Sequence, residues 1–183
     1  MFKKEIPIKY NKEYFRLISD TYKTTARIIN QIRWDFVKEI KPKIVLDYGA
    51  GACFLSKYAP KGVVVDTYDI GDFPVKYTGI RHKSYDLIFL CDVLEHIPDF
   101  REFDYLWEKA EYVYISIPIL PKGRELKTWK HFKPGEHYHY FTERSLDLFF
   151  EGRGFENIKS GYPECKIRSD IYSVLYKRSI ILK

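Results

Sequence analysis

The sequence predicts an α/β fold in which a Rossmann-like, mostly parallel sheet carries helices on both faces. Two observations predict it. From residue 43 onward, short apolar runs alternate with segments whose apolar residues recur at helical spacing. The first run also leads through two glycines directly into a helical segment, as strands do in open parallel sheets. A length of 183 residues, without a composition shift or an internal repeat, predicts one domain.

The first 42 residues are predicted to form an N-terminal helical cap. The segment KEYFRLISDTYKTTARIINQIRWDFVKEI indicates one or two amphipathic helices, with apolar residues at Phe15, Ile18, Ile28, Ile29, Ile32, Phe36 and Ile40. Pro42 ends this region.

Residues 43–118 are predicted to supply the central sheet. The strands are KIVLDY, GVVVDTYD, YDLIFLCD and EYVYISIP, and the helices between them are CFLSKYA and FREFDYLWEKA. Residues 119–183 then contain a polar, aromatic loop, a helix and a closing β-hairpin. Thr142 caps the helix ERSLDLFFEGR, which ends near Gly152 or Gly154. The hairpin pairs FENIKSGY with IYSVLYKRSIIL.

The composition excludes several classes of protein. The N-terminus lacks the apolar centre of a signal peptide, and no apolar run reaches the roughly 18 residues of a membrane-spanning helix. Three widely spaced cysteines without a CxxC pair are typical of a reducing compartment. We therefore expect a cytoplasmic protein with free thiols and no membrane partner. The net charge of +6 raises affinity for anions but does not by itself indicate nucleic-acid binding.

The stretch KIVLDYGAGACFLSK, residues 43–57, allows a ligand to approach bare backbone at the start of a helix. A dinucleotide fingerprint requires GxGxxG, but Phe54 stands where the third glycine would be, so NAD and FAD are disfavoured. Asp47, Gly49 and Gly51 instead resemble the first motif of class I S-adenosylmethionine-dependent methyltransferases. Cys53 replaces the third glycine that is usual in that family.

This resemblance implies that S-adenosylmethionine is the cofactor. In the family, the turn wraps the amino-acid end of the cofactor, and the preceding acid helps to orient its ammonium group, directly or through water. The contacts implied for this chain are Asp47, Tyr48, Gly49, Ala50 and Gly51.

An acid at the end of the second strand accepts hydrogen bonds from ribose hydroxyls in both cofactor classes. Asp69 lies twenty-two residues after Asp47, near the spacing that the resemblance implies. Asp66 lies three residues earlier and faces the other side by strand alternation. We favour Asp69 as the ribose ligand, although either acid could instead cap a turn with Gly71.

The segment SYDLIFLCDVLEHIPDF, residues 84–100, is similar to the fourth-strand motif of the small-molecule branch of this superfamily. Cys91 matches a position that lines the cofactor there, although an isolated cysteine in an apolar strand is more often simply buried. The same branch often has an aromatic-rich loop and then a helix that ends in Gly-Phe, like HYHYFTERSLDLFFEGRGF here. The resemblance spans residues 43–155.

The pattern breaks between Asp69 and Tyr85, because the fifteen intervening residues are too few for a helix, a strand and a second helix. We predict a shortened or missing third strand and an antiparallel last strand. The family's usual acid for the adenine amino group belongs to the lost region. Asp72 is one substitute, and backbone groups near Gly79 and Ile80 are another.

The predicted function is methyl transfer from S-adenosylmethionine to a small acceptor. The sulfonium supplies the leaving group, so the protein mainly aligns the acceptor atom with the methyl group. A base is required only where the acceptor starts protonated, and the candidates are His137, His139 and His96, in that order. The alternatives are an inactive S-adenosylmethionine-binding module and a flavin- or nicotinamide-dependent oxidoreductase.

The loop PKGRELKTWKHFKPGEHYHY follows the fifth strand expected for the family, at the edge of the sheet where α/β folds bind ligands. It interleaves basic with aromatic residues: Lys122, Arg124, Lys127, Lys130, Lys133, Trp129, Phe132, Tyr138 and Tyr140. A solvated loop explains the lysines equally well, but the combination favours an anionic or planar small molecule. A nucleic-acid acceptor is not expected, because the chain has no separate basic module.

The sequence also contains a histidine cluster of His131, His137 and His139, in which His-x-His places both rings on one side of an extended segment. No cysteine lies near it, and solvent and helix charge explain the nearby Glu136 and Glu143. We therefore predict no metal site.

Overall fold

The described residues of the computed structural model are 12–71 and 75–179. They form six strands, β1 (Ile44–Tyr48), β2 (Val64–Tyr68), β3 (Tyr85–Cys91), β4 (Ala110–Pro118), β5 (Phe155–Gly161) and β6 (Ile171–Arg178). Four α-helices accompany them, α1 (Lys12–Val37), α2 (Phe54–Lys57), α3 (Asp104–Trp107) and α4 (Glu143–Glu151). Short 3-10 turns cover residues 38–40, 94–96, 100–103 and 126–128.

One sheet contains all six strands, in the order β2-β1-β3-β4-β6-β5. Strands β1 to β4 are parallel, and β6 runs antiparallel to both β4 and β5. The predicted antiparallel last strand and closing hairpin are therefore confirmed. Because β1, β2 and β3 are parallel neighbours, the residues that follow them meet at one edge of the sheet, where ligands of open α/β sheets bind.

The connection from β2 to β3 contains no strand or helix among its described residues, so the predicted loss of the third strand holds there. Asp72, a substitute considered for adenine binding, lies outside the described residues. The edge of β2 is instead covered by a turn, in which the Gly79 N–H donates to the Thr67 carbonyl at 3.0 Å. Such a cover keeps an edge strand from pairing with another chain.

Asp66 fixes the end of this shortened connection. Its side chain is fully buried and accepts hydrogen bonds from the Arg81 guanidinium and the Tyr85 hydroxyl, while the His82 ring lies 2.8 Å away. Burial alone would raise the pKa of Asp66, but the hydrogen bonds from Arg81, His82 and Tyr85 outweigh it and lower the pKa to about 2. The carboxylate is therefore a structural anchor for residues 81–85.

Helix α1 packs on the face of the sheet that also carries α2. Its buried positions Ala26, Ile29, Trp34 and Val37 recur at helical spacing, and the Trp34 indole donates to the Leu55 carbonyl at 3.0 Å. The predicted stripe was partly wrong, since Ile28 is 53% exposed. Arg33 instead occupies the buried stripe, because it pairs with acids described below.

The opposite face of the sheet carries α3 and α4. Thr142 caps α4 as predicted: its hydroxyl accepts from the Ser145 N–H, and the Ser145 hydroxyl accepts from the Thr142 N–H. The helix ends at Gly152, and Phe150 stacks on Tyr176 of β6 with ring centroids 4.1 Å apart. This packing holds the closing hairpin against the sheet. Among all described helices, none has the length and apolarity needed to cross a membrane.

Candidate functional site

A cavity of about 130 Å³ lies where the carboxyl ends of β1 and β3 meet helix α1. Its lining combines apolar groups from α1 and α2 with charged groups from both strand ends: Ala26, Ile29, Asn30, Arg33, Asp47, Gly49, Ala50, Phe54, Leu55, Cys91, Asp92 and Arg168. Four of the predicted cofactor contacts, Asp47, Gly49, Ala50 and Cys91, are therefore brought together around one space.

The glycine turn, residues 49–53, is hydrogen-bonded to the end of β2. The N–H groups of Gly49 and Ala50 both donate to the Tyr68 carbonyl, at 2.8 and 3.0 Å. Gly49 has a φ of +79°, and a Cβ built there would lie 2.4 Å from Val93 Cγ2. Both the backbone conformation and the packing therefore require glycine at this position.

Two further residues of the turn adopt left-handed backbone conformations. Gly51 has a φ of +50° and Cys53 a φ of +58°. Cys53 thus adopts, at some cost in strain, a backbone conformation that glycine adopts freely. The turn therefore has three left-handed residues, Gly49, Gly51 and Cys53.

Asp47 places on the wall of the cavity a carboxylate oxygen that has no hydrogen-bond partner among the described residues. The residue is 4% exposed, and its Oδ2 atom has no hydrogen-bond partner among the described residues. Burial raises the pKa of Asp47 to about 7; Arg33 opposes this rise and Asp69 adds to it. A buried carboxylate that the protein leaves unsatisfied is suited to a ligand that brings a cation or N–H donors.

Asp66 in β2 and Asp69 just after it point to different surroundings, as predicted, and Asp69 also makes the turn contact with Gly71 that was considered as its alternative role. Asp69 lies beside the glycine turn, where its Oδ2 accepts from the Gly51 N–H at 2.8 Å and its Oδ1 from the Gly71 N–H at 2.7 Å. Asp66 points away into its own cluster with Arg81. Each Asp69 oxygen keeps a second lone pair with which it can accept a hydroxyl donor.

Of the predicted cofactor contacts Tyr48 and Cys91, only Cys91 lines the cavity. The Tyr48 side chain packs against Tyr68 and Phe103, with centroids 4.8 and 4.9 Å apart, and so belongs to the core on the opposite face. Cys91 lines the cavity, and burial raises the pKa of its thiol well above the ordinary value. Cys91 is therefore a neutral wall group.

A buried ion network closes the far side of the cavity. Arg33 Nε lies 2.8 Å from Glu164 Oε1, and Arg168 contacts Glu164 Oε2 at 3.1 Å and Asp92 Oδ1 at 2.5 Å. Glu164 is fully buried and also accepts from the Ser116 hydroxyl at 2.8 Å. The network joins α1, β3, β4 and the loop between β5 and β6, so it fixes the shape of the cavity.

Arg33, Asp92, Glu164 and Arg168 were not identified from the sequence as members of the site. Only Arg33 left a signal, since it falls on the helical stripe that Ala26, Ile29 and Val37 define. The others meet because the fold brings together segments far apart in sequence.

The three predicted histidines lie beyond the end of β3 rather than in the wall of the cavity. The rings of His96 and His137 meet edge to face with centroids 4.7 Å apart, whereas His139 lies against Phe100 at 4.4 Å. Burial lowers the pKa of His137 to about 4, and the charge of His96 adds to this effect. The described cavity lining includes none of the three.

The histidine grouping weighed from sequence is not the one that forms. The His131 ring packs on Trp129 and approaches the Ser169 carbonyl at 3.2 Å, and it is not one of the three clustered side chains. In the same loop, Trp129 is 2% exposed and its indole donates to Asp170, so it is a packing residue rather than a stacking surface. Lys122, Arg124 and Lys127 are exposed, and Tyr138 is 47% exposed.

The fold is shared by solved methyltransferases at low sequence identity. A SAM-dependent methyltransferase from Archaeoglobus fulgidus aligns with a TM-score of 0.66 and 15% identity, over 90% of this chain and 100% of that one. Human N-acetylserotonin methyltransferase, solved with SAM, aligns with a TM-score of 0.66 and 13% identity, over 91% of this chain and 55% of that one. Magnesium protoporphyrin IX methyltransferase from Synechocystis PCC 6803, solved with SAH, aligns with a TM-score of 0.57 and 20% identity, over 88% of this chain and 85% of that one.

Comparison of sequences is consistent with this likeness of fold. No curated protein sequence matches the chain significantly. The family model described as a methyltransferase domain, however, matches residues 10–160, which include the glycine turn, Asp66, Asp69 and the histidines. The chain belongs to the methyltransferase domain family.

Proposed function

We propose that the chain is a methyltransferase that uses S-adenosylmethionine and acts on a small, anionic or planar acceptor. The observation that carries the proposal is the Oδ2 atom of Asp47, which is buried without a hydrogen-bond partner among the described residues, beside the glycine turn at the carboxyl end of β1. An ammonium group of a bound cofactor would satisfy that carboxylate.

The residues around the cavity fit the remaining groups of the cofactor. The turn from Gly49 to Gly51 offers backbone at close range, and Asp69 has lone pairs for the ribose hydroxyls. When bound, S-adenosylmethionine supplies an electrophilic methyl group on a sulfonium. Ile29, Phe54 and Leu55 form an apolar wall that would exclude water from this region.

The net charge of the groups around the cavity also complements that of S-adenosylmethionine. The cavity and the network behind it hold three carboxylates, those of Asp47, Asp92 and Glu164, against the two guanidinium groups of Arg33 and Arg168. With all five groups ionised, this cluster has one excess negative charge. S-adenosylmethionine, with an ammonium, a sulfonium and a carboxylate, has one excess positive charge, so the two are complementary.

The acceptor side is proposed to lie beyond β3, where His96 and His137 meet and the loop of residues 121–140 folds over the sheet edge. A neutral imidazole there can take the proton of an acceptor that starts protonated. His137 is the first candidate for this role, followed by His139 and His96. The backbone near Gly79 and Ile80 remains the candidate for the adenine contact.

The proposal is tested by methyl transfer from labelled S-adenosylmethionine to a panel of phosphorylated metabolites, carboxylic acids, phenols and nucleotide-linked sugars. Label incorporated into one class of acceptor supports it. Tight binding of S-adenosylhomocysteine without transfer to any acceptor would favour the inactive binding module instead.

The basic loop is expected to help bind the acceptor. Replacing Lys127 and Lys130 with Ala should lower turnover or acceptor affinity and leave cofactor binding unchanged, because these cations would face an anionic substrate. The matched control replaces Lys38 and Lys61, which line a groove at the opposite edge of the sheet. The assignment of the loop fails if the first pair behaves like the control pair on the identified substrate. Binding to RNA or DNA that falls steeply with salt would indicate a nucleic-acid acceptor instead.

A further inference from the structure

A second cluster of potential ligand groups lies next to the cofactor cavity, three residues beyond Asp92. Glu95, His96 and His137 each offer one carboxylate oxygen or ring nitrogen, and these three atoms lie within 4.8 Å of one another. Bonds of about 2.0–2.1 Å would place the ligand atoms of a tetrahedral ion roughly 3.3 Å apart. Modest side-chain rotations would therefore bring the three atoms to coordination distance.

The polar atoms of this cluster are buried without partners. Glu95 is 2% exposed, and its Oε2 atom has no hydrogen-bond partner among the described residues. His137 is 7% exposed, and its Nδ1 atom likewise has none there. Buried side-chain atoms are nearly always satisfied, so two unpartnered atoms in one cluster are suited to binding a ligand.

The backbone orients His96 as a metal ligand would be oriented. Its Nδ1 atom lies 3.1 Å from the Glu136 carbonyl oxygen. A carbonyl only accepts, so the proton lies on Nδ1 and the lone pair on Nε2. Histidines that bind metals usually donate their other N–H to a carbonyl or carboxylate in this way.

The two segments that carry the cluster are held together by further backbone hydrogen bonds. The N–H groups of Tyr138 and His139 both donate to the Glu95 carbonyl, at 2.7 and 3.3 Å. His137 is also anchored through its N–H to the Lys133 carbonyl at 2.8 Å. The cluster is thus preorganised by the loop, although its members come from segments about 40 residues apart.

Among the described residues, no cation forms an ion pair with Glu95, although Arg168 and Lys133 act on its carboxylate from a greater distance. Lys133 forms its ion pair with Glu136, and Arg168 forms its ion pairs with Asp92 and Glu164. Asp92 places another negative charge nearby. The site is therefore set up for an external cation.

We propose that Glu95, His96 and His137 bind one divalent transition-metal ion, such as Zn²⁺, Fe²⁺ or Co²⁺, through two imidazoles and one carboxylate. This donor set suits such metals, and three protein ligands leave at least one coordination position open for water or an anionic oxygen. That such an oxygen would belong to the acceptor rests on the proposed function. If the metal binds, its ligands cannot also be the proton acceptor, so that role would pass from His137 and His96 to His139.

The test is titration of metal-free, tag-free protein with Co²⁺, whose visible absorption reports its coordination. We expect one Co²⁺ per chain, with a spectrum of low-symmetry nitrogen and oxygen coordination that Zn²⁺ abolishes by competition. Glu95→Gln, which keeps the side-chain volume, and His137→Ala should each weaken Co²⁺ binding at least ten-fold. His131→Ala, in the same loop but outside the cluster, should leave it unchanged.

The proposal is overturned if the wild type shows no saturable Co²⁺ binding. It is also overturned if Glu95→Gln and His137→Ala bind as the wild type does, or if His131→Ala loses as much affinity as they do. Circular dichroism of each variant establishes that it is folded before the comparison is made. Binding of S-adenosylhomocysteine, measured on the same samples, reports the proposed function separately, so either proposal can fail while the other stands.

Discussion

The carboxylate of Asp47 combines two properties that oppose each other. Burial destabilises its ionised form, and burial also makes that form attractive to a cationic ligand. A group whose folded pKa lies above its unfolded value stabilises the fold at low pH and loses that contribution as the pH rises through the folded pKa. For Asp47, the loss falls between its ordinary value of 3.8 and about 7.

Asp47→Asn is therefore expected to have separate effects on the pH dependence of stability and on cofactor affinity. Between pH 5 and pH 8, the unfolding free energy of the ligand-free wild type should fall by about 1–3 kcal/mol more than that of the variant. Cofactor affinity should instead fall about 10- to 100-fold in the variant, because a charged acceptor is removed. Denaturant unfolding at several pH values, with calorimetric titration, measures both effects. Parallel pH dependences of stability in the two proteins would contradict this role of Asp47.

Gly51→Val tests the close approach of a ligand to the turn. A β-branched residue at a φ of +50° is strained by about 1–3 kcal/mol, and its side chain would occupy the ligand's space, so cofactor binding should be lost. Gly62→Val is the matched control, because Gly62 has a φ of +85° and a Cβ placed there would have nothing within 4 Å. The control should lose similar stability and still bind. Equal retention of affinity in both variants would remove the turn from the site.

Asp66 in β2 and Asp69 directly after it point to different surroundings, so the two acids should respond differently to mutation. Asp69→Ala should weaken cofactor binding by about 1–3 kcal/mol, because the ribose contacts are lost and the Gly51 N–H loses its acceptor. Asp66→Ala should change cofactor affinity much less. It should instead destabilise the fold, because the Arg81 and Tyr85 donors lose their buried acceptor. The roles are reversed if affinity depends more on Asp66 than on Asp69.

The pH dependence of Asp66 has the opposite sign to that of Asp47. Its folded pKa of about 2 lies below the ordinary 3.8, so its contribution is present above pH 3.8 and is lost as the pH falls toward 2. That contribution is about 2–3 kcal/mol. The fold around residues 81–85 should therefore weaken in acid through this anchor, and Asp66→Ala should lack that part of the acid dependence.

Helix α1 is held to the rest of the cavity by Arg33, and this attachment should be measurable. Arg33→Met should cost about 3 kcal/mol of unfolding free energy, because it leaves the buried Glu164 with one cation fewer. Arg27→Met, at an exposed position of the same helix, should change stability by less than about 0.5 kcal/mol. Denaturant unfolding of both variants is the measurement, and a similar small effect in both would show that the network does not hold α1.

The sequence was sufficient for the parts of the fold that local patterns determine. The apolar runs located the strands, Thr142 located the start of α4, and counting residues between Asp69 and Tyr85 was enough to predict the lost strand. These features depend on periodicity, capping and connection length, which are all readable within a short window.

Local patterns did not reveal the groups that complete the site. Arg33 and Glu164 pair across 131 residues, and Glu95 meets His137 only because the loop after β4 folds back over β3. The partners of Asp66 were equally hidden, since Arg81 and Tyr85 lie 15 and 19 residues further along the chain. Such pairings depend on topology, so a single sequence carries little trace of them.

The assignment of the cavity as a site for S-adenosylmethionine is tested most directly by calorimetric titration of the wild-type protein with S-adenosylhomocysteine and, in parallel, with NAD⁺. We predict saturable binding of one S-adenosylhomocysteine per chain and no measurable binding of NAD⁺, because Phe54 stands where a dinucleotide site requires glycine. Binding of NAD⁺ in preference to S-adenosylhomocysteine, or no binding of S-adenosylhomocysteine by the folded protein, would contradict it.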